Sequence, residues 1–160
     1  MNPTSKSVLT GLNMIYFSLI TMMGLFALVV LYITASGDIT PDPDMTLLLR
    51  YVLFALLPIG LGAGYFIFKQ WMLAIKTTLS LREKLMKYQT AVLIRSGCFE
   101  MPGLFGAVAA MITGDISFLL FTAIVIVLFL MLRPTIYTIT TDMSLSQKER
   151  NILENPSSPL

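Results

Sequence analysis

Two charged residues stand inside an otherwise apolar stretch of this chain: Arg95 and Glu100, with Cys98 between them and Pro102 two residues beyond Glu100. A charged side chain at the centre of a hydrocarbon layer costs ~2.5–3.5 kcal/mol on insertion scales, so such residues are rare and have a task. Two tasks are open to Glu100. A carboxyl group there can bind and release a proton or a cation, or it can tie helices together as a buried polar group. Pro102 has no N–H and leaves the Cys98 carbonyl without its helical donor; a neutral Glu100 is expected to donate to that oxygen. Arg95 and Glu100 are five residues apart, ~140° around a helix, so they do not form an i,i+4 pair. Their partners are expected on another helix, among Asn13, Tyr16, Ser18, Thr21 and Thr122. Alternatively, Arg95 snorkels to the nearer interface.

Other chemistries lack their residues. There is no histidine, which removes imidazole metal sites, histidine-ligated haem, and Ser/His or Cys/His nucleophile pairs. Cys98 is the only cysteine, so no intramolecular disulfide can form. No P-loop, GxGxxG or CxxC spacing is present. A non-enzymatic protein without cofactor or metal is expected.

The elements that must position Arg95 and Glu100 are membrane spans. Hydrophobic residues make up 56% of the 160 residues and charged ones only 12%, against ~25% charged in a soluble domain. Four apolar runs, at about 8–34, 47–72, 90–113 and 116–132, reach the roughly 17–25 residues that cross a hydrocarbon core. The first is too long for the apolar region of a cleaved signal peptide. The fold expected is all-α: an integral membrane four-helix bundle over residues 1–139, with a cytoplasmic tail over 140–160.

Charge sets the orientation. The first connection carries Asp38, Asp42 and Asp44 with no basic residue before Arg50, whereas the second carries Lys69, Lys76, Arg82, Lys84 and Lys87 against Glu83 alone. Gly114 and Asp115 make a tight third turn, and Arg133, Lys148 and Arg150 follow the last run. The positive-inside rule then puts the second connection and both termini in the cytoplasm. Tyr32 and Tyr51 are expected at the outer interface, and Trp71, Tyr88 and Tyr137 at the inner one. The connection 69–88 has no Gly or Pro and reads as helical, with a break near Ser80–Arg82. In the tail, Ser144 or Ser146 with Glu149 reads as the cap of one short helix near Ser146–Leu153, followed by disorder.

Small residues mark the packing faces. Gly60, Gly62 and Gly64, just after Pro58, are expected to meet Gly103, Gly106 and Ala110 at matching depth, with Glu100 against the glycines. An internal repeat accompanies them: Thr21–Thr34 and Glu100–Thr113 agree at about half of their positions, with Thr21 where the second copy has Glu100. The copies run in the same direction, which admits a duplication of helical hairpins.

Nearly the whole chain resembles a group of uncharacterised small four-helix bacterial membrane proteins. The likeness is carried by Tyr88-Gln-Thr-Ala-Val-Leu-Ile-Arg95, Glu100, Gly103-Leu-Phe105 and Arg133-Pro-Thr135. It implies the cytoplasmic (inner) membrane of a bacterium. The segment Leu57–Ile112 is similar to the proteolipid subunit c of rotary ATP synthases, through Gly60-Leu-Gly-Ala-Gly64, the basic connection, Ala91-Val-Leu-Ile, Glu100 and Leu104-Phe105. That second likeness implies that Glu100 carries a coupling ion. Partners expected are the lipid bilayer and either further copies of the chain or other membrane subunits, and not nucleic acid. The functions in view are a scaffold or accessory subunit of a membrane complex, a proteolipid-like ion-translocating subunit, and a small oligomeric transporter.

Overall fold

The structure, a computed structural model, describes residues 5–37, 43–75 and 79–155. Asp38 and Asp42 of the acidic connection, Lys76 of the basic one and residues 156–160 of the expected disordered end lie outside the described residues. Every element within them is helical: α1 (Ser5–Ala35), α2 (Pro43–Leu73), α3 (Leu81–Thr113), α4 (Leu119–Met131, entered through a 3-10 turn at Ile116–Phe118), α5 (Ile136–Asp142) and α6 (Gln147–Glu154).

The first three helices contain 31, 31 and 33 residues, ~45–50 Å of helix each. They are long and apolar enough to cross a membrane. The fourth apolar run does not continue as a single straight element. Arg133 precedes Pro134 and is disfavoured in α conformation, so the helix stops at Met131 and the chain turns by 82° into α5. Counted as one broken segment, the bent pair raises the number of helices long and apolar enough to cross a membrane from three to four.

Local rules set the helix ends. Ser80 and Glu83 form a reciprocal capping box at the start of α3, with the Ser80 N–H donating to Glu83 Oε2 at 2.9 Å. Gly114 closes α3 in the left-handed region at φ 70°, its N–H donating to the Ala110 carbonyl. Ser146 and Glu149 make the same capping box at the start of α6. The connection 69–88 is thus two helix ends, α2 stopping at Leu73 and α3 starting at Leu81.

α3 is the central helix. Half of its most apolar window is buried, against 17% in α1 and 22% in α2. Gln89 of α3 lies beside Val8 and Gly103 beside Met23, so α1 and α3 run in the same direction. α2 and α4 run the opposite way, since Gly60 and Gly64 meet Cys98–Pro102 while Val125 and Thr122 meet Gly103 and Gly106. The two repeat copies therefore lie side by side: Val8–Gln89 and Met23–Gly103 are offset by about the spacing that relates Thr21 to Glu100.

The outward faces are apolar, with Met22, Leu28, Phe54, Phe66, Leu120 and Met131 all exposed. An outer surface of that kind fits hydrocarbon, where no polar cover is needed. The short helices α5 and α6 fold back over one end of the bundle. Ile139, Met143 and Leu153 join the same buried cluster as Tyr16, Val92 and Phe129, so the tail helices belong to the packed body.

Candidate functional site

Arg95 is 8% exposed and faces inward from α3. Its guanidinium lies over the Phe68 ring of α2 at 4.2 Å from the centroid, and Nη2 donates to the Leu132 carbonyl at 3.2 Å. That carbonyl sits at the end of α4, where Pro134 prevents the helix from supplying donors. Arg95 therefore joins three helices at one level, through a cation–π contact and a cap. None of Asn13, Ser18 and Thr21 partners it; its charge reaches Tyr16, whose hydroxyl donates to the Phe129 carbonyl at 3.0 Å.

A second polar layer lies on the tail side of Arg95. Tyr88 is 1% exposed, stacks edge-on against Phe68 and donates to Asp142 Oδ2 at 3.3 Å. Tyr88 is thus packed inside the bundle, whereas Tyr32, Tyr51 and Tyr137 are exposed. Lys84, 6% exposed, donates from Nζ to Glu149 Oε1 of α6 at 2.6 Å. That bond, with those from Ser146, holds the Glu149 carboxyl below the usual glutamate range. Between these groups is a cavity of about 410 Å³ whose lining includes Phe68, Lys69, Met72, Lys84, Asp142 and Ser144. Ser144 is a non-glycine residue in the left-handed region, at φ 47°.

Glu100 is partly exposed on α3 and makes no hydrogen bond or ion pair among the described residues. The Cys98 carbonyl expected to receive its proton instead faces α2, where a Cβ on Gly60 would stand 2.8 Å from it. Close approach of the Gly60 backbone covers the oxygen that Pro102 frees, and Pro102 itself packs against Gly60. One turn back from Glu100, the Ser96 hydroxyl is buried and also lacks a partner among the described residues.

The glycine surfaces divide differently from the expected pairing. Gly60 and Gly64 do face α3, meeting Cys98, Phe99 and Pro102. Gly103 and Gly106 face away from α2, toward Met23 of α1 and toward Phe118, Thr122 and Val125 on the other side. A neighbour on each flank of α3 requires small residues on both, which a one-dimensional motif cannot separate. Thr122 donates to the Gly103 carbonyl at 2.7 Å. Gly62 has open space beside it, and Pro58 is exposed on α2. Asn13 and Thr21 line a shallow groove on the outer side of α1.

At the opposite end, Arg50 Nη2 pairs with Asp115 Oδ2 at 2.7 Å and donates to Ser117 Oγ at 3.1 Å. Burial pushes the Asp115 carboxyl up, but the bonds from Ser117 and the Arg50 guanidinium together hold it below the usual aspartate range.

Sequence reasoning missed Phe68, Asp142, Lys84 and Glu149 as a cluster. The only local sign was the Ser146–Glu149 cap, which placed Glu149 at the start of a helix without saying what it faces. The chain matches no protein-family profile, no curated protein and no solved structure.

Proposed function

We propose that the chain is a four-span protein of the bacterial cytoplasmic membrane, with both termini in the cytoplasm, acting without catalysis as a scaffold or accessory subunit of a membrane complex. The placement is supported by three long apolar helices and a bent fourth element. It is supported too by the basic residues Lys69, Lys84, Lys87, Arg133 and Lys148, which fall at the end where the tail helices pack. The likeness of Tyr88–Arg95 and Glu100 to small four-helix bacterial membrane proteins points the same way.

One observation carries the subunit reading: Glu100, partly exposed midway along an apolar helix, has no partner in its own chain among the described residues. In hydrocarbon such a group is costly alone and is met by another polar group. Since no group of α1, α2 or α4 among the described residues meets it, that group comes from a second copy or another subunit. The test is purification in mild detergent of the wild-type chain and of Glu100→Leu. A stoichiometric companion should travel with the wild type and be lost from the variant, with both melting alike. A wild-type chain that purifies alone would remove the reading.

A second reading draws on the same unpaired carboxyl: Glu100 binds and releases H⁺ or Na⁺, as the likeness of Leu57–Ile112 to the proteolipid subunit implies. A hydrophobic carbodiimide should then label Glu100, and Na⁺ or acidic pH should alter the rate. Labelling insensitive to both conditions excludes it.

A further inference from the structure

We propose that the cavity between the α2 end, the α3 start and the tail helices binds the headgroup of an anionic glycerophospholipid that carries hydroxyls, such as phosphatidylglycerol. Two cations serve the phosphate. Lys84 is buried and commits one of its ammonium donors to Glu149, leaving two. Lys69 lines the same cavity and has no ion pair among the described residues.

Asp142 sets the class of headgroup. One of its oxygens accepts from Tyr88. The remaining oxygen repels a dianionic phosphate monoester but accepts from a hydroxyl, so a singly charged phosphodiester with an alcohol headgroup satisfies both cations and the acid. Ser144, which lines the cavity from a left-handed backbone, adds a second hydroxyl contact. Phe68 and Met72 supply an apolar wall for the glycerol and upper acyl carbons. A volume of about 410 Å³ lies within the range of small-ligand sites.

The inference rests on the membrane placement proposed above and is independent of what meets Glu100. Trp71, the only tryptophan, does not line the cavity, so the reporter is Leu73→Trp, at an exposed lining position, in a Trp71→Phe background. The chain is reconstituted in bilayers containing brominated phosphatidylglycerol, phosphatidylethanolamine or phosphatidylcholine at equal mole fraction. The reporter at position 73 should be quenched about tenfold more efficiently by the first lipid than by the other two. The preference should vanish in Lys69→Gln and in the pair Lys84→Gln with Glu149→Gln, which keeps a hydrogen bond to α6. Inorganic phosphate should not compete. Equal quenching by all three lipids, or a preference unchanged in both variants, overturns the proposal. Loss of the preference on adding inorganic phosphate overturns the assignment to a lipid. If the membrane placement itself fails, the chain will not reconstitute at all, a separate outcome from loss of selectivity.

Discussion

The two ends of the bundle hold their charges in opposite ways. At the tail end, Lys84–Glu149, Tyr88–Asp142 and Arg95 with Phe68 and the Leu132 carbonyl lie in layers covered by α5 and α6. At the other end, Arg50 and Asp115 pair with 44% and 27% of their side chains exposed. An exposed pair competes with water and contributes ~0–1 kcal/mol. A covered one is costly to break, since a partner left alone is poorly solvated. Covering by a short tail is what turns surface charges into structural ones here.

The comparison presupposes that α2 and α3 keep their register between the ends, and the largest effect should come from disturbing that. A Cβ at Gly60 would stand 2.8 Å from the backbone oxygen of Cys98. Gly60→Leu should therefore lower stability in detergent by ~3 kcal/mol, and Gly62→Ala, beside open space, should be neutral or mildly stabilising. Equal melting of the two variants would mean that the helices slide, and the contrast between ends would lose its basis.

Arg95→Met removes a cation–π contact and the Leu132 cap together and should cost ~2–3 kcal/mol. Adding Phe68→Leu should cost much less in that background than in the wild type, because the contact is already gone. Additive losses in the double variant would contradict the joint role.

The direct comparison is smaller. Lys84→Met should cost ~1–2 kcal/mol and Arg50→Met under ~1 kcal/mol. Acid should reproduce the difference. The Glu149 carboxyl lies below its usual value through Lys84, so its contribution is complete above ~4.3 and is lost as pH falls through the lower folded value. Asp115 is shifted in the same direction and gives a loss of the same sign. Hydrogen exchange should then show α6 opening on acidification before the helix α3 does. Simultaneous opening of both would make the tail an inseparable part of the core.

The sequence made the long helices legible because hydropathy and helix caps act locally. The three long apolar helices, the Gly114 turn and the α6 cap at Ser146 all depend on neighbouring residues, and all are present. What escaped was three-dimensional. The Arg95 partners are a ring 27 residues earlier and a carbonyl 37 residues later, neither of which any helical spacing reveals. The packing of α6 rests on Leu153, the buried one of two adjacent apolar residues in a polar segment, which composition alone reads as a solvated tail. Gly103 and Gly106 looked like one more packing motif, and only the arrangement of four neighbours shows which flank they serve.

On the proposed function, Glu100 meets a group from outside its own chain within the membrane. A photo-crosslinking amino acid at Met101, exposed and adjacent to Glu100, tests it against the same probe at Leu130, exposed on α4. Met101 should give a defined protein adduct, either a second copy or another membrane subunit, which disappears when Glu100→Leu is added, and Leu130 should give lipid adducts alone. Lipid adducts alone from both positions, or a protein adduct from Met101 that survives Glu100→Leu, would contradict it.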